Sequence, residues 1–390
     1  MPVTVRRGVN FTCLIFEVGA VLSVSATSTS AQAPRARDSA GVHIVENAAR
    51  AKAPIAFTLG PIPLADVGGI KDNPDDELDP HGGYLNLVRL SDGGTVVNDN
   101  VKLRYYDRAG RQLHVVGRSG QGPGEFRQIA SICRTRGDTI VVSDPGNSRV
   151  TVFDKNVGVV RQIPIGRVEL PMDGCLDDGT WIIAQPGVQP GTRKLVRYRL
   201  DGSIAAELGD VWGGTFSIFM VVSPTFVASG DRVYFGDSRA SEVKIRDESG
   251  RLTGIIRTAD PIAKTTAAER EAMQPAFYPA RGSDPEVLAR AAERLRTTPR
   301  PAEWPSYERI AVDPDGRLWI EDYPKTFKEP SVWTGFDRSG RMLGKLSIPA
   351  ANKPGDARLV NFARGGVLVR RWDDDGAQHL TVYPLVPVKR

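Results

Sequence analysis

The chain has 390 residues, 41% of them hydrophobic, with 40 Gly and 28 Pro. That length supports a sizeable core, and so many turn formers point to short strands joined by hairpins rather than to long helices. The formal charge of +5 comes from Lys and Arg scattered among nearly as many Asp and Glu. No basic block carries interleaved aromatics, which excludes a nucleic-acid groove from the expected functions.

The first segment, residues 1–33, has the order of a signal peptide. Arg6 and Arg7 precede a mostly apolar run over residues 11–26, and small residues lead to Ala31-Gln32-Ala33, an A-x-A cleavage pattern. Cleavage after Ala26 is the alternative, because Pro34 is unfavourable just after the first cut. The run is short and is interrupted by Glu17, so it does not read as a membrane anchor. No Cys at its end offers a lipid attachment. The expectation is an exported protein, periplasmic or extracellular, with no integral membrane segment after cleavage. The mature chain then keeps Cys133 and Cys175. Each lies four residues before the Gly of a tight turn, Gly137 and Gly179, in equivalent places of successive repeats. They can form a disulfide if neighbouring strands bring their Cα atoms within about 7 Å, or remain two buried thiols.

Residues 34–54 read as an extended lead-in and residues 55–59 as a strand with no hairpin partner of its own. Residues 72–80 are an acidic, turn-rich surface loop. A three-strand unit then repeats: an apolar strand, an Asp/Gly hairpin, a second strand, a polar turn, and a third strand ending near Asp before another Gly turn. A fourth strand leaves for the next unit. Unit one runs from Leu85 to Val116. Unit two, residues 117–165, is the cleanest copy; unit three turns at Asp177-Asp178-Gly179 and unit four at Gly230-Asp231. Residues 265–273 and 285–297 lose the period of two and read as helices, the second opened by Ser283-Asp284-Pro285. Unit five resumes at Ile310, and unit six starts near Leu359 and ends one strand short. The expected fold is all-β: a six-bladed β-propeller over residues 55–390, with a short helical insertion, residues 258–308, between blades four and five. The orphan strand 55–59 would complete the last blade, removing its exposed edge, and each blade would be stabilised by packing on its neighbours. A monomer is expected.

Residues 120–126 (GQGPGEF), Gly137-Asp138 and residues 144–150 (DPGNSRV) resemble NHL-type repeats, and the mature chain resembles exported six-bladed β-propeller proteins of bacteria. In such repeats the Asp-x-x-Asn-x-Arg-Val run is a signature of the fold, so the resemblance implies architecture rather than activity.

With the first strand of each unit innermost, the short hairpin turns share one face, and the irregular loops share the other with residues 258–308. Long inserts in compact repeats usually serve function, so a ligand site is expected at the channel mouth under this insertion. Asp237, Arg239, Glu321, Asp322 and Arg371 fall at or beside turns there, and Trp212 and Tyr278 are aromatics on the same side. Trp304, Phe216, Phe219 and Phe277 accompany them, either stacking on a ligand or burying the insertion. Asp144, Asn147 and Arg149 are read as turn and blade ties. The glycine-rich 120–124 lacks the Lys-Ser/Thr and helix of a P-loop. Asp313-Pro314-Asp315-Gly316 and Asp373-Asp374-Asp375-Gly376 lack the Glu of an EF-hand. No His pair has metal-ligand spacing, and no G-x-S-x-G elbow occurs. No metal or cofactor is expected. The leading reading is a binding or scaffold module whose ligand is a small molecule, glycan or protein. The competing readings are a propeller lyase or hydrolase using the acidic and Arg residues, and a carbohydrate binder using the aromatics.

Overall fold

The computed structural model describes residues 34–69, 77–78, 86–165, 174–216, 219, 221–222, 225–273, 284–326, 329–349, 358–363, 365–373 and 375–389. The expected signal segment and Tyr278 lie outside them.

The described chain is mostly β, built of antiparallel meanders taken in sequence order. Strands Asn86–Arg89, Thr95–Asp99, Lys102–Tyr106 and Gln112–Val116 form one, and Ser131–Arg134, Ile140–Asp144, Arg149–Phe153 and Val159–Pro164 the next. The third comprises Trp181–Pro186, Thr192–Tyr198 and Ile204–Trp212, with Cys175 bridged to Trp181 on its inner side. The fourth runs through Thr225–Ser229, Arg232–Gly236, Glu242–Asp247 and Leu252–Thr258. Arg309–Val312, Leu318–Glu321, Ser331–Phe336 and Met342–Ile348 follow, then Arg358–Ala363, Gly366–Trp372 and Gln378–Pro387.

Second strands such as Ile140–Asp144 are buried along their whole length, because the two faces of a meander pack on two different neighbours. Val141 packs with Trp181 and Ile183 of the following meander, while Ile140 and Val142 pack with Val96 and Leu103 of the preceding one. Apolar clusters of this kind join each meander to the next. One of them joins Leu368, Leu380 and Val382 of the last to Leu87, Val97 and Tyr106 of the first. The arrangement is therefore propeller-like, and its core sits between the meanders rather than within any one of them.

The turns between third and fourth strands explain the Asp and Gly periodicity. Asp107 Oδ1 accepts the N–H groups of Ala109 and Arg111, both at 2.9 Å, and Gly110 takes φ +82°. Asp247 and Asp337 repeat the pattern, with Gly250 and Gly340 in the same left-handed region. These carboxylates are consumed by backbone donors.

The N-terminal residues serve three outer edges in turn. Arg35–Ser39 and Val42–Asn47 form a hairpin, so the lead-in is not simply extended, and Val42–Asn47 pairs in parallel with Leu252–Thr258. Ile55–Leu59 pairs in parallel with Met342–Ile348 and antiparallel with the end of Gln378–Pro387. The strand on the outer side of His379–Val382, within Gln378–Pro387, is Ala65–Gly68, which the sequence reading did not assign. It is short, and Gly68-Gly69 at its end reads as a turn. Gly68 is needed because a Cβ there would meet Gln378 O at 2.1 Å.

Helices Ala267–Ala272 and Pro285–Thr297 lie in the insertion. The first opens with a Thr266/Glu269 capping box and the second with Asp284 as cap and Pro285 in its first turn. Cys133 and Cys175 form a disulfide, with Cα atoms 5.7 Å apart.

Candidate functional site

The first strands of the meanders surround a cavity of about 1090 Å³. Its wall includes Asn86, Cys133, Cys175, Thr225, Ile310 and Asn361, so successive meanders all contribute. One end is rimmed by hairpin turns between first and second strands, among them Gly230–Arg232 and 313–316. Six arginines and six carboxylates line it, leaving the lining with no net formal charge. Most of these charges are already engaged. Arg134 bonds Asp138 at 2.9 Å, Arg338 donates to Asp315 O at 2.9 Å, and Asp178 pairs with Arg197. Arg136 is exposed at the rim.

None of the described residues expected at the other mouth lines this cavity, and they fall into separate clusters. Asp237, Arg239 and Trp212 come together: Arg239 bonds Asp237 at 2.6 Å, and its guanidinium lies 4.4 Å from the centre of the Trp212 ring. One face of that indole is thus already covered by a cation.

Glu321 is buried among structural partners. Arg309 Nε reaches Glu321 Oε2 at 2.6 Å, and Ser331 Oγ donates to Oε1 at 2.5 Å and accepts from Trp333 Nε1 at 2.8 Å. The adjacent Asp322 turns the other way, to Arg50 Nη1 at 2.9 Å and Lys345 Nζ at 3.6 Å. Arg50 also bonds Asp260 through its backbone N–H and Nε, each at 2.9 Å, and donates to Ser306 O. Burial pushes the Asp260 carboxyl up, but hydrogen bonds from Thr258 and Arg50 and the Arg50 charge leave it below the usual carboxylate range. Arg371 belongs to a third cluster with Asp66, Thr381 and His379.

The insertion is fastened to the loop side. Lys325 Nζ bonds Glu269 Oε1 at 2.8 Å, and that bond, with the Thr266 backbone donor, lowers the Glu269 carboxyl to about 2. Lys325 also lies 5.5 Å from the centre of the Trp304 ring, itself 5.9 Å from Tyr323, and Arg300 stands 4.7 Å over Phe219. Trp304 and Phe219 are buried, so they bury the insertion rather than offer a stacking face.

Asp144, Asn147 and Arg149 build their loop. Asp144 accepts from Asn147 N and Gln128 N, and Arg149 donates to the carbonyls of Gln121, Gly122 and Glu125. Arg149 thus ties down the connection that runs from the first meander into its own. Sequence reading missed Arg50, Asp66 and His379, which lie in stretches without a motif. It also set aside the hairpin turns, whose uniformity looked purely structural although they rim the cavity. Among the described residues no helix is long and apolar enough to cross a membrane.

No family model matches the chain, and no curated protein matches it. Among solved structures, a member of the DUF4221 family from Bacteroides vulgatus is 10% identical, with 86% of this chain and 97% of that one covered at a TM-score of 0.47. Virginiamycin B lyase from Staphylococcus aureus is also 10% identical, with 82% and 94% covered at 0.42. A gluconolactonase from Xanthomonas campestris is 12% identical, with 77% and 85% covered at 0.39. These likenesses are too distant to assign an activity, a ligand or a family.

Proposed function

We propose that this chain is an exported six-bladed β-propeller that acts as a binding module, taking a small, polar, overall neutral or zwitterionic molecule into its central cavity from the hairpin-turn end. The observation that carries the reading is the cavity itself: about 1090 Å³, walled by first strands and lined by balanced charges. Pockets of roughly 300–1,000 Å³ suit small ligands, and a lining of no net charge disfavours a strongly anionic or cationic one. The blade count is supported by the run of apolar clusters from meander to meander and from the last back to the first. Export is supported by the order of residues in 1–33.

The enzyme reading draws less support. Glu321, Asp322, Asp237 and Arg371 are each paired, in separate clusters, instead of converging on one pocket. The carbohydrate reading is weakened, since one face of Trp212 is covered by Arg239 and Trp304 is buried.

Thermal unfolding of the protein with free amino acids, dipeptides and monosaccharides, each tested singly, examines the proposal. Ser229 lines the cavity, and Ser229→Trp places an indole at that wall to obstruct it. A ligand that raises the wild-type midpoint and leaves the variant's unchanged supports binding in the cavity. Equal stabilisation of the variant, or no response to any probe, overturns it. N-terminal sequencing of protein recovered outside the cytoplasm of a bacterial host tests export, with mature chains beginning after Ala33 or Ala26 expected.

A further inference from the structure

Asp66 lies on strand Ala65–Gly68, and the last meander holds it with three side chains. Arg371 Nη2 reaches Asp66 Oδ2 at 2.7 Å, Thr381 Oγ1 donates to Oδ1 at 2.7 Å, and His379 Nδ1 stands 3.2 Å from the same Oδ1. The other ring nitrogen, Nε2, is 3.1 Å from Asp373 Oδ2. Arg371 Nη2 is also 3.2 Å from His379 Nδ1. The ring side chain is 16% exposed and packs beneath Gly69, where a Cβ would approach Cε1 to 3.0 Å.

This geometry supports two bonding patterns. A neutral imidazole has one N–H and one lone pair. It can donate from Nε2 to Asp373 and accept from Arg371 at Nδ1, which confines its bonds to the last meander. An imidazolium donates from both nitrogens, to Asp373 and across the strand boundary to Asp66. The charged groups facing the ring are Asp66 from the N-terminal strand, Arg371 from Gly366–Trp372 and Asp373 from the turn that follows. Two carboxylates against one guanidinium leave a single negative charge uncompensated until the ring is protonated.

We infer that His379 is a pH-sensitive clasp, whose protonation fastens strand Ala65–Gly68 to the last meander and whose deprotonation withdraws one of the bonds that holds it. The bond from Nδ1 to Asp66 belongs to the protonated ring and is withdrawn from the neutral one, which accepts from Arg371 instead, so it weakens as pH rises. Asp373 sets the lower limit. Its carboxyl is held below the usual range, first by the His379 hydrogen bond and then by the Ala377 N–H. Its contribution is present above the unfolded-state value and is lost as pH falls through the folded one. The join therefore loosens both when the ring loses its proton and when Asp373 gains one.

Hydrogen exchange of the Leu64 and Gly69 amides, which donate to Val382 O and Gln378 O at the two ends of the strand, tests the clasp. Protection is corrected for intrinsic exchange and compared at about pH 5.5 and about pH 8.5. Wild-type protection is expected to fall about two- to five-fold on going to the higher pH, while His379→Gln shows the lower protection at both. Unchanged wild-type protection overturns the inference, and so does the same fall in His379→Gln. The wild-type comparison decides the matter even if the variant folds poorly.

Discussion

Arg50 and Asp322 are 272 positions apart in the chain and are joined by a 2.9 Å bond from Nη1 to Oδ1. The same guanidinium holds Asp260 at the start of the insertion and Ser306 O at its end. One buried cation therefore pins the N-terminal lead-in, both ends of the insertion and the loop after Leu318–Glu321. Removing it takes the cation from the largely buried Asp260 and leaves Asp322 with Lys345 at 3.6 Å. Arg50→Ala is expected to cost about 2–3 kcal/mol. Asp322→Asn is expected to cost less than about 1 kcal/mol, because that side chain is 36% exposed and screened by solvent. Urea unfolding of both variants measures this, and a larger loss for Asp322→Asn would give that residue a role beyond the pair.

Much of the architecture was legible because it rests on local rules. Asp107, Asp247 and Asp337 announce their turns through side-chain acceptors placed two and four residues before backbone donors, and the helices announce theirs through Thr266 and Asp284. Strand Ala65–Gly68 was not legible. Its place depends on a partner more than 300 residues away, and its Gly pair looks like a turn. The expected site suffered from the same limit. Asp237 and Arg239 are two residues apart and do meet, whereas Glu321 and Asp322, though adjacent, point to Arg309 and Arg50 in different clusters. Spacing along a strand gives the face of a side chain, but its partner is set by packing between distant segments.

The disulfide closes a loop with a sequence separation of 42 between the inner sides of successive meanders. The chain-entropy relation for a loop of that length gives about 4 kcal/mol. Cys133→Ala/Cys175→Ala should therefore unfold at lower denaturant than the oxidised wild type, and reductant should lower the wild type while leaving the double variant unmoved. A reductant effect on the double variant would locate the redox sensitivity elsewhere, and its equal stability would mean that the reduced unfolded chain is already constrained.

The Glu269–Lys325 pair makes attachment of the insertion pH-dependent in a known direction. The folded carboxyl is lowered to about 2, chiefly by the Lys325 hydrogen bond. Its contribution is thus present above the ordinary glutamate range and is lost only as pH falls toward 2. Carboxyl-carbon NMR should show Glu269 titrating well below the other glutamates, and Lys325→Ala should return it toward about 4.3. An unchanged titration in Lys325→Ala would assign the shift to the Thr266 capping box instead.

Closure by the N-terminal strands gives the last expectation. Phe57 is buried, stands edge-on to Trp319 with ring centres 5.2 Å apart, and belongs to the cluster between the last two meanders with Leu346 and Phe362. Trp319 in turn donates from Nε1 to Asp313 at 3.0 Å and stacks on Phe362 with ring centres 4.9 Å apart, so the indole is held and cannot collapse freely into a gap. Phe57→Ala should then cost about 3–5 kcal/mol. Because every meander relies on two neighbours, the loss should appear as a lower midpoint of one cooperative transition rather than as local loosening. Thermal melts followed by far-ultraviolet circular dichroism and by tryptophan fluorescence provide the check. Coincident, down-shifted transitions are expected. A fluorescence transition that moves while the backbone signal stays in place would mean that residues 55–59 are an appendage to the ring and not part of its closure.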